Sequence, residues 1–271
     1  MKKYQAIYKE LPWDYSPGVV AFLLRNKKIA SNAVFATLLD LVRKKYISVE
    51  MVVTSSLYSA KRMGEAKYTL RKQNIDELMA HEKFLINWFF KVIGDGYSFK
   101  CSDINIYWRE RNNVKKFVEG YNNFKVNIER ESNKFFFFKK LNTLDQILAL
   151  LGSPKRTSIG QEHFGEWMDF KKFLLDSCSM STYDIKTFVI WEHYFIYAII
   201  LEIAKEVLGK LPTIYGENLT LLGYQYMHII PFTGIERAMT QMDSYFANAA
   251  RYTEWGRPSD DFTGHPPLDP G

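Results

Sequence analysis

"NAVFATLLDLVRKKYISVEM", residues 32–51, changes its period halfway along, and that change decides the fold. In its first part Val34, Phe35, Leu38, Leu41 and Val42 fall at i, i+1, i+4, i+7 and i+8, the spacing of one helix face. Ser31 or Asn32 is placed to cap this helix, and Arg43, Lys44 and Lys45 lie at the end where the helix dipole favours cations. From Ile47 the pattern alternates: Ile47, Val49 and Met51 are interleaved with Ser48, Glu50 and Val52, which predicts a strand. Upstream, Ser16 and Pro17 suit the cap and first position of a short helix over Pro17–Arg25. Downstream, "KYTLR" predicts a second strand after the polar loop around "SAKRMGEA". Helix, helix, strand, loop, strand is the order of the later half of a winged-helix unit, with the hairpin as wing and the second helix as recognition helix.

A looser copy of this pattern follows. Leu85, Trp88, Phe89 and Val92 form a helical face, "GDGYS" a turn, and Val114, Phe117, Val118 and Tyr121 a longer helix. It ends in "NKFFFFKK", whose four phenylalanines, Phe135–Phe138, bounded by lysines, have the make-up of a membrane wedge or of a buried strand, and are read as the strand. Leu144–Leu151 predicts a short connecting helix stopped by Gly152 and Pro154, and Ile159, Phe164, Trp167, Phe170 and Leu174 predict an amphipathic one. A long helix is expected from Ile185 to Leu208, and a last one through Ile235, Met239, Met242 and Phe246. Within the long helix, "WEHYFIYAII" (191–200) resembles the start of a membrane span. The uninterrupted apolar run Tyr194–Leu201 is only eight residues, flanked by Glu192, His193 and Glu202. A span needs about 20 apolar residues, so this is a core helix. The expected class is mainly α with small β-hairpins (α+β). The expected segments are a winged-helix-like unit (1–72), a second helix-rich, winged-helix-like unit (73–141), a connector (142–156), a helical unit (157–255) and a flexible Pro/Gly/Asp-rich tail (256–271).

With 47% hydrophobic and 16% aromatic residues, the 271-residue chain has ample core material. Its net charge of +6 is unevenly spread. Residues 1–72 hold 14 Lys and Arg against 5 Asp and Glu (+9), and residues 73–271 hold 22 against 25 (−3). A basic N-terminal segment suits nucleic acid, anionic headgroups, the cytoplasmic flank of a membrane span, or simply a solvated lysine face. The start lacks the apolar stretch of a secretory signal, and Cys101 and Cys178 lack ligand-spaced partners, which fits a reducing setting.

Candidate chemistry is thin. "HEKFL" at His81 has Leu85 where a zinc protease needs its second histidine. His193 on an apolar helix reads as a core histidine needing a hydrogen-bond partner, and Glu162, His163 and Glu166 as a surface cluster within about a helical turn. Cys178 has no neighbouring base, and Gly94-Asp95-Gly96 lacks the spacing of a phosphate loop. No catalytic residue, cofactor site, metal site or small-molecule substrate is assigned.

"DYSPGVVAFLLRNKKIASNAVFATLLDLVRKKYISVE" resembles the segment after the first membrane helix in a family of uncharacterised bacterial predicted membrane proteins, often called YciQ-like. Ser16, Pro17, Leu23, Leu24, Ala36 through Leu41, Tyr46 and Ile47 carry the match. A second block, "TSIGQEHFGEWMDFKKFLLD" and then "IWEHYFIYAIILEIAKEV", is similar through Trp167, Phe170, Phe173, Leu174, Trp191, Tyr194, Tyr197, Ala198 and Ala204. The family pattern has glycine where this sequence has Lys45 and Glu202. The resemblance implies an exported β-rich domain and a membrane helix upstream, a membrane hairpin near 139–156 and a glycine-rich tail. This sequence shows none of them, so it is expected to be the cytoplasmic portion of such a protein, with its spans removed by design or missing from its lineage.

The expected function is therefore a non-catalytic cytoplasmic interaction or regulatory module of a membrane protein. Its candidate basic surface comprises Lys27, Lys28, Arg43, Lys44, Lys45, Lys61 and Arg62, facing an unknown protein partner or an anionic membrane surface. The alternative is a nucleic-acid-binding winged helix using the same residues. Asn32, Ala33, Thr37, Asp40 and Lys44, the outward positions expected of its recognition helix, include an acid and few base-reading side chains.

Overall fold

Ser16 starts the first helix in the computed structural model, which describes residues 10–54, 63–110, 112–139, 155–177, 186–207, 240, 242–249 and 251. Its extended backbone lets the side chain accept the Val19 N–H at 3.4 Å, with Pro17 following as the sequence predicts. Helix α1 (Pro17–Leu24) is buried almost along its whole length. A Cβ on Gly18 would lie 2.8 Å from Ile128 and 3.1 Å from the His81 ring, so glycine here lets two other helices close on α1.

Helix α2 (Asn32–Arg43) is buried at every position from Ala33 to Val42. Two of those residues are polar: Thr37 donates to the Ala33 carbonyl at 2.7 Å, and Asp40 forms ion pairs with the cations one turn ahead. Strands β1 (Ile47–Thr54) and β2 (Met63–Leu70) pair antiparallel, with Ile47 opposite Leu70 and Glu50 opposite Lys67. The order helix, helix, strand, strand is thus present, although the loop with Lys61 and Arg62 lies outside the described residues. A third strand, β3 (Ser98–Lys100), pairs with the other edge of β2. Ile47, Val49, Ala66, Tyr68 and Phe99 make the buried face of the sheet, with Tyr68 stacked on Phe99 at 4.9 Å.

Helix α3 (Ala80–Ile86) widens into π-turns over Asn87–Ile93. These i→i+5 turns shift the apolar register, so Phe90 is buried and Val92, expected inside, is 48% exposed. Two elements have no counterpart in the sequence reading: β3 and helix α4 (Cys101–Arg109), which lies ahead of α5 (Val114–Ser132). The Phe135–Phe138 strand is not formed. A 3-10 turn (Asn133–Phe135) and a left-handed residue, Phe136, leave one isolated bridge, Phe138 to Arg156. Helices α6 (Ser158–Ser177) and α7 (Lys186–Ile200) complete the core, and α7 packs chiefly on α2. On α6, Trp167, Phe170 and Leu174 are buried as expected, whereas Ile159 is 46% exposed. Of the expected last helix, residues 242–249 are helical and bury Met242 and Phe246, while Ile235 and Met239 lie outside the described residues. So do most of the 142–156 connector and the 256–271 tail. The architecture is mainly α with one small antiparallel sheet, an α+β arrangement.

The long helix expected to reach Leu208 is broken after Ile200, with residues 204–207 helical again, and the cause of the break is local. The Ile203 N–H reaches back to Ala198 at 2.9 Å and the Glu202 N–H to Ile199 at 3.3 Å, with Glu202 at φ 60°. This is a Schellman end, in which a left-handed residue closes the helix. Helix α2 ends the same way: Tyr46 bonds back to Leu41 at 3.0 Å, Lys45 to Val42 at 2.9 Å, and Lys45 has φ 61°. Positions 45 and 202 are those where the resembling family carries glycine, the residue that adopts this conformation without a Cβ clash. Lys45 is exposed and makes no side-chain ion pair among the described residues. Lys45→Gly should therefore raise stability by about 0.5–1 kcal/mol in urea unfolding, since relief of the left-handed strain exceeds the added freedom of the unfolded chain. A loss of stability would show that Lys45 contributes a contact outweighing its backbone strain.

Candidate functional site

The charged residues of α2 converge on one knot. Asp40, only 1% exposed, receives the Arg43 Nε on one oxygen at 2.8 Å and the Lys44 Nζ on the other at 2.8 Å. The same Lys44 ammonium lies 2.7 Å from Glu82 on α3, a carboxylate also 1% exposed. The second Glu82 oxygen accepts the Met79 N–H at 2.9 Å, which caps the start of α3. Burial alone would lower the Lys44 pKa, but the Asp40 and Glu82 carboxylates more than offset it and the net shift is upward. Lys44 is thus a held cation, unsuited to act as a base or nucleophile near neutral pH.

Around the knot lies a cavity of about 400 Å³, lined among others by Asp14, Asp40, Lys44, Tyr46, Glu77, Glu82 and Tyr197. Two tyrosines of its lining are engaged with the protein. The Tyr197 hydroxyl donates to the Tyr15 carbonyl at 2.7 Å and is held well above its usual pKa by burial and then by Asp40. Tyr46 donates to Glu77 at 3.2 Å, and the Lys72 ammonium lies 4.4 Å from the Tyr46 ring. His81, fully buried, has its Nε2 3.1 Å from the Ser16 hydroxyl and, among the described residues, no partner on Nδ1. Burial pushes its pKa down to about 4. His193 is also lowered to about 4, by burial and then by Arg43, and its Nε2 has no hydrogen-bond partner among the described residues.

The described members of the basic set singled out from the sequence have different surroundings. Arg43 and Lys44 turn onto buried carboxylates, Lys45 faces solvent, Lys28 is exposed, and Lys27 is half-buried with its ammonium 5.4 Å from the Phe138 ring. Lys61 and Arg62 lie outside the described residues. The helix positions expected to point outward are covered. Thr37 is 0% exposed and Asp40 1%, because α7 lies across them and the Asn32 amide donates to the Ile199 carbonyl at 3.1 Å. His163 is buried rather than on the surface, with Nδ1 3.0 Å from the Tyr15 hydroxyl and the Trp13 ring 3.9 Å away; Trp13 itself donates to Glu166. No group of three His, Cys, Asp or Glu side chains among the described residues could hold a metal. Cys101 is buried and its thiol is pushed up to about 12, chiefly by burial, so it is inert; Cys178 lies outside the described residues. Glu82 was missed in the sequence. Its signal was an acid three residues after Met79 at the start of an apolar helix, the spacing of a capping box.

The model of the family described as "Predicted membrane protein (DUF2207) C-terminal domain" matches residues 5–153 and 146–211 of the chain. No curated protein and no solved structure matches it. No helix among the described residues is long and apolar enough to cross a membrane.

The knot makes two measurable demands. Lys44→Met leaves two buried carboxylates without their shared ammonium and should cost about 3 kcal/mol in urea unfolding. Adding Glu82→Gln, which removes one of those charges but keeps the capping oxygen, should recover part of the loss, and an additive double variant would mean the two groups do not interact. The second demand concerns pH. A histidine held near 4 in the fold but near 6.5 when unfolded takes up its proton more readily unfolded. The stability from a neutral His81 is therefore whole above about pH 6.5 and drains as pH falls toward 4, by an amount on the order of 3 kcal/mol. His193 acts in the same direction. His81→Gln should flatten this part of the stability–pH curve, and an unchanged slope would show that His81 is not held neutral.

Proposed function

Because the chain belongs to the family of predicted membrane protein (DUF2207) C-terminal domains, we propose that it is a non-catalytic interaction module working at the cytoplasmic face of a membrane, where it meets a protein partner or the lipid surface. The observation that carries the non-catalytic part is the knot around Lys44. The most buried carboxylates among the described residues, Asp40 and Glu82, are spent on Lys44 and on a helix cap, an arrangement that holds helices together. The cytoplasmic side is supported by the basic first segment, since Lys and Arg accumulate beside membrane spans on that side.

The α1–α2–β1–β2 order, with β3 added to the hairpin, is read as winged-helix-like, and winged helices also serve as protein-binding folds. The nucleic-acid alternative requires α2 in a major groove. That helix is buried from Ala33 to Val42, so the alternative would need α7 to leave.

The discriminating experiment is fluorescence anisotropy of a labelled random DNA duplex titrated with the chain across a salt series. The proposal expects no binding near physiological salt. Micromolar binding that survives there, with a steep log–log salt slope, would overturn it in favour of phosphate contacts.

A further inference from the structure

We infer that the exposed turn at Phe136, with Lys139, Lys155 and Lys27 around it, is a docking point for an anionic lipid bilayer; this deepens the membrane-face reading above and rests on it. The turn is built to display one ring. Its neighbours are anchored: Phe135 packs 4.6 Å from Tyr15, and Phe137, 1% exposed, lies 5.8 Å from His163. Phe136 between them is 64% exposed, at φ 53° and ψ 34°. A bulky residue rarely adopts that left-handed backbone, and here it gains no burial in return.

Hydrogen bonds hold the turn in place. Thr157 donates its hydroxyl to the Phe136 carbonyl at 2.7 Å and its N–H to the Phe137 carbonyl at 2.9 Å, and Lys139 donates its N–H to the Lys155 carbonyl at 3.0 Å. Gly160 keeps the start of α6 against the turn, because a Cβ there would lie 2.0 Å from the Phe137 oxygen. The same contact brings Ile159, 46% exposed, to this end of the molecule.

The segments that carry the ring hold exposed lysines, beside one ion pair, Lys134 with Glu131. Lys139 and Lys155 are exposed on the two paired segments, and Lys27 reaches the Phe138 ring from the α1 side. Arg156 is not available, since it donates to the Leu23 and Leu24 carbonyls at 3.1 and 3.4 Å and lies 3.8 Å over the Phe164 ring. Glu162, exposed one turn along α6 from Ile159, is the nearest acid in sequence on that helix.

One displayed aromatic ring, one exposed aliphatic side chain and several flexible ammoniums suit a lipid interface, where the ring enters the headgroup level and the lysines meet phosphate and carboxylate. They suit a protein partner poorly. Two apolar side chains are far from a stable interface core, and lysine is depleted in such cores.

The test is co-sedimentation of the full chain with phosphatidylcholine vesicles containing increasing phosphatidylserine, at low and physiological salt. Binding should rise with phosphatidylserine, fall with salt and be negligible on pure phosphatidylcholine. Lys139→Gln with Lys155→Gln should weaken it on the order of 20- to 30-fold. Phe136→Gly should weaken it severalfold while the melting temperature holds or rises, because glycine suits the left-handed backbone. No binding of the unaltered chain to anionic vesicles overturns the inference, and so does binding that neither variant changes. The two failures differ in reach. Vesicle binding through other residues would leave the membrane-face reading standing without this site, whereas no vesicle binding together with no DNA binding would leave only the protein-partner reading.

Discussion

One ammonium shared by two buried carboxylates ties the centre of the molecule together. Lys44 closes the C-terminal end of α2 and reaches Glu82 at the start of α3. The residue beside Glu82 is His81, whose ring touches the Ser16 hydroxyl that caps α1. Two adjacent residues thus connect three helix ends. Taking these charges out of water offsets much of their attraction, so the knot adds little net stability compared with an apolar core of the same shape. What it adds is a penalty on every other packing. Any arrangement in which α2 and α3 slip by a turn leaves a carboxylate buried without its cation, which is far costlier than the intact pair is favourable.

The burial of α2 follows from the same centre. Its apolar residues are not confined to the stripe predicted from spacing: Ala33, Ala36 and Leu39 are buried along with Val34, Phe35, Leu38 and Leu41. A helix apolar nearly all round belongs inside, and α7 supplies the cover that α1 and the sheet leave open. The order helix, helix, strand, strand therefore does not imply a free recognition helix. The element that would read a groove in one protein is the central strut of another when a further helix packs over it.

Periodicity made α2 and β1 legible and the Ser16–Pro17 cap made α1 so, whereas β2 was legible only in its second half, because Met63–Ala66 reads as polar loop and is strand. Periodicity failed where the backbone leaves regular geometry. The π-turns after Ile86 exchange Val92 for Phe90 in the core, and no residue in "NWFFKVI" announces an extra residue per turn. Four phenylalanines in a row read as a strand, yet the left-handed Phe136 breaks the run and puts one ring outside. The end of α7 was hidden for a different reason. Glycine would have marked it, but Glu202 occupies the left-handed position and forms an ion pair with Arg25 instead. Asp40 was visible as an acid on α2, but its burial depends on α7, more than a hundred residues away, and no local pattern carries that information.

The basic run at the end of α2 shows why a charge count from sequence overstates a binding surface. Arg43, Lys44 and Lys45 are consecutive and read as one patch, yet successive residues on a helix point about 100° apart. Arg43 folds back on Asp40, Lys44 is drawn between Asp40 and Glu82, and only Lys45, thrown outward by the left-handed turn, faces water. Lys139 and Lys155 belong to segments that the sequence separates but the fold pairs side by side, and Lys27 comes to the same aromatic turn through Phe138. Some of the exposed positive charge of the described residues is therefore brought together by tertiary structure, while part of the charge that the sequence gathers is consumed inside it.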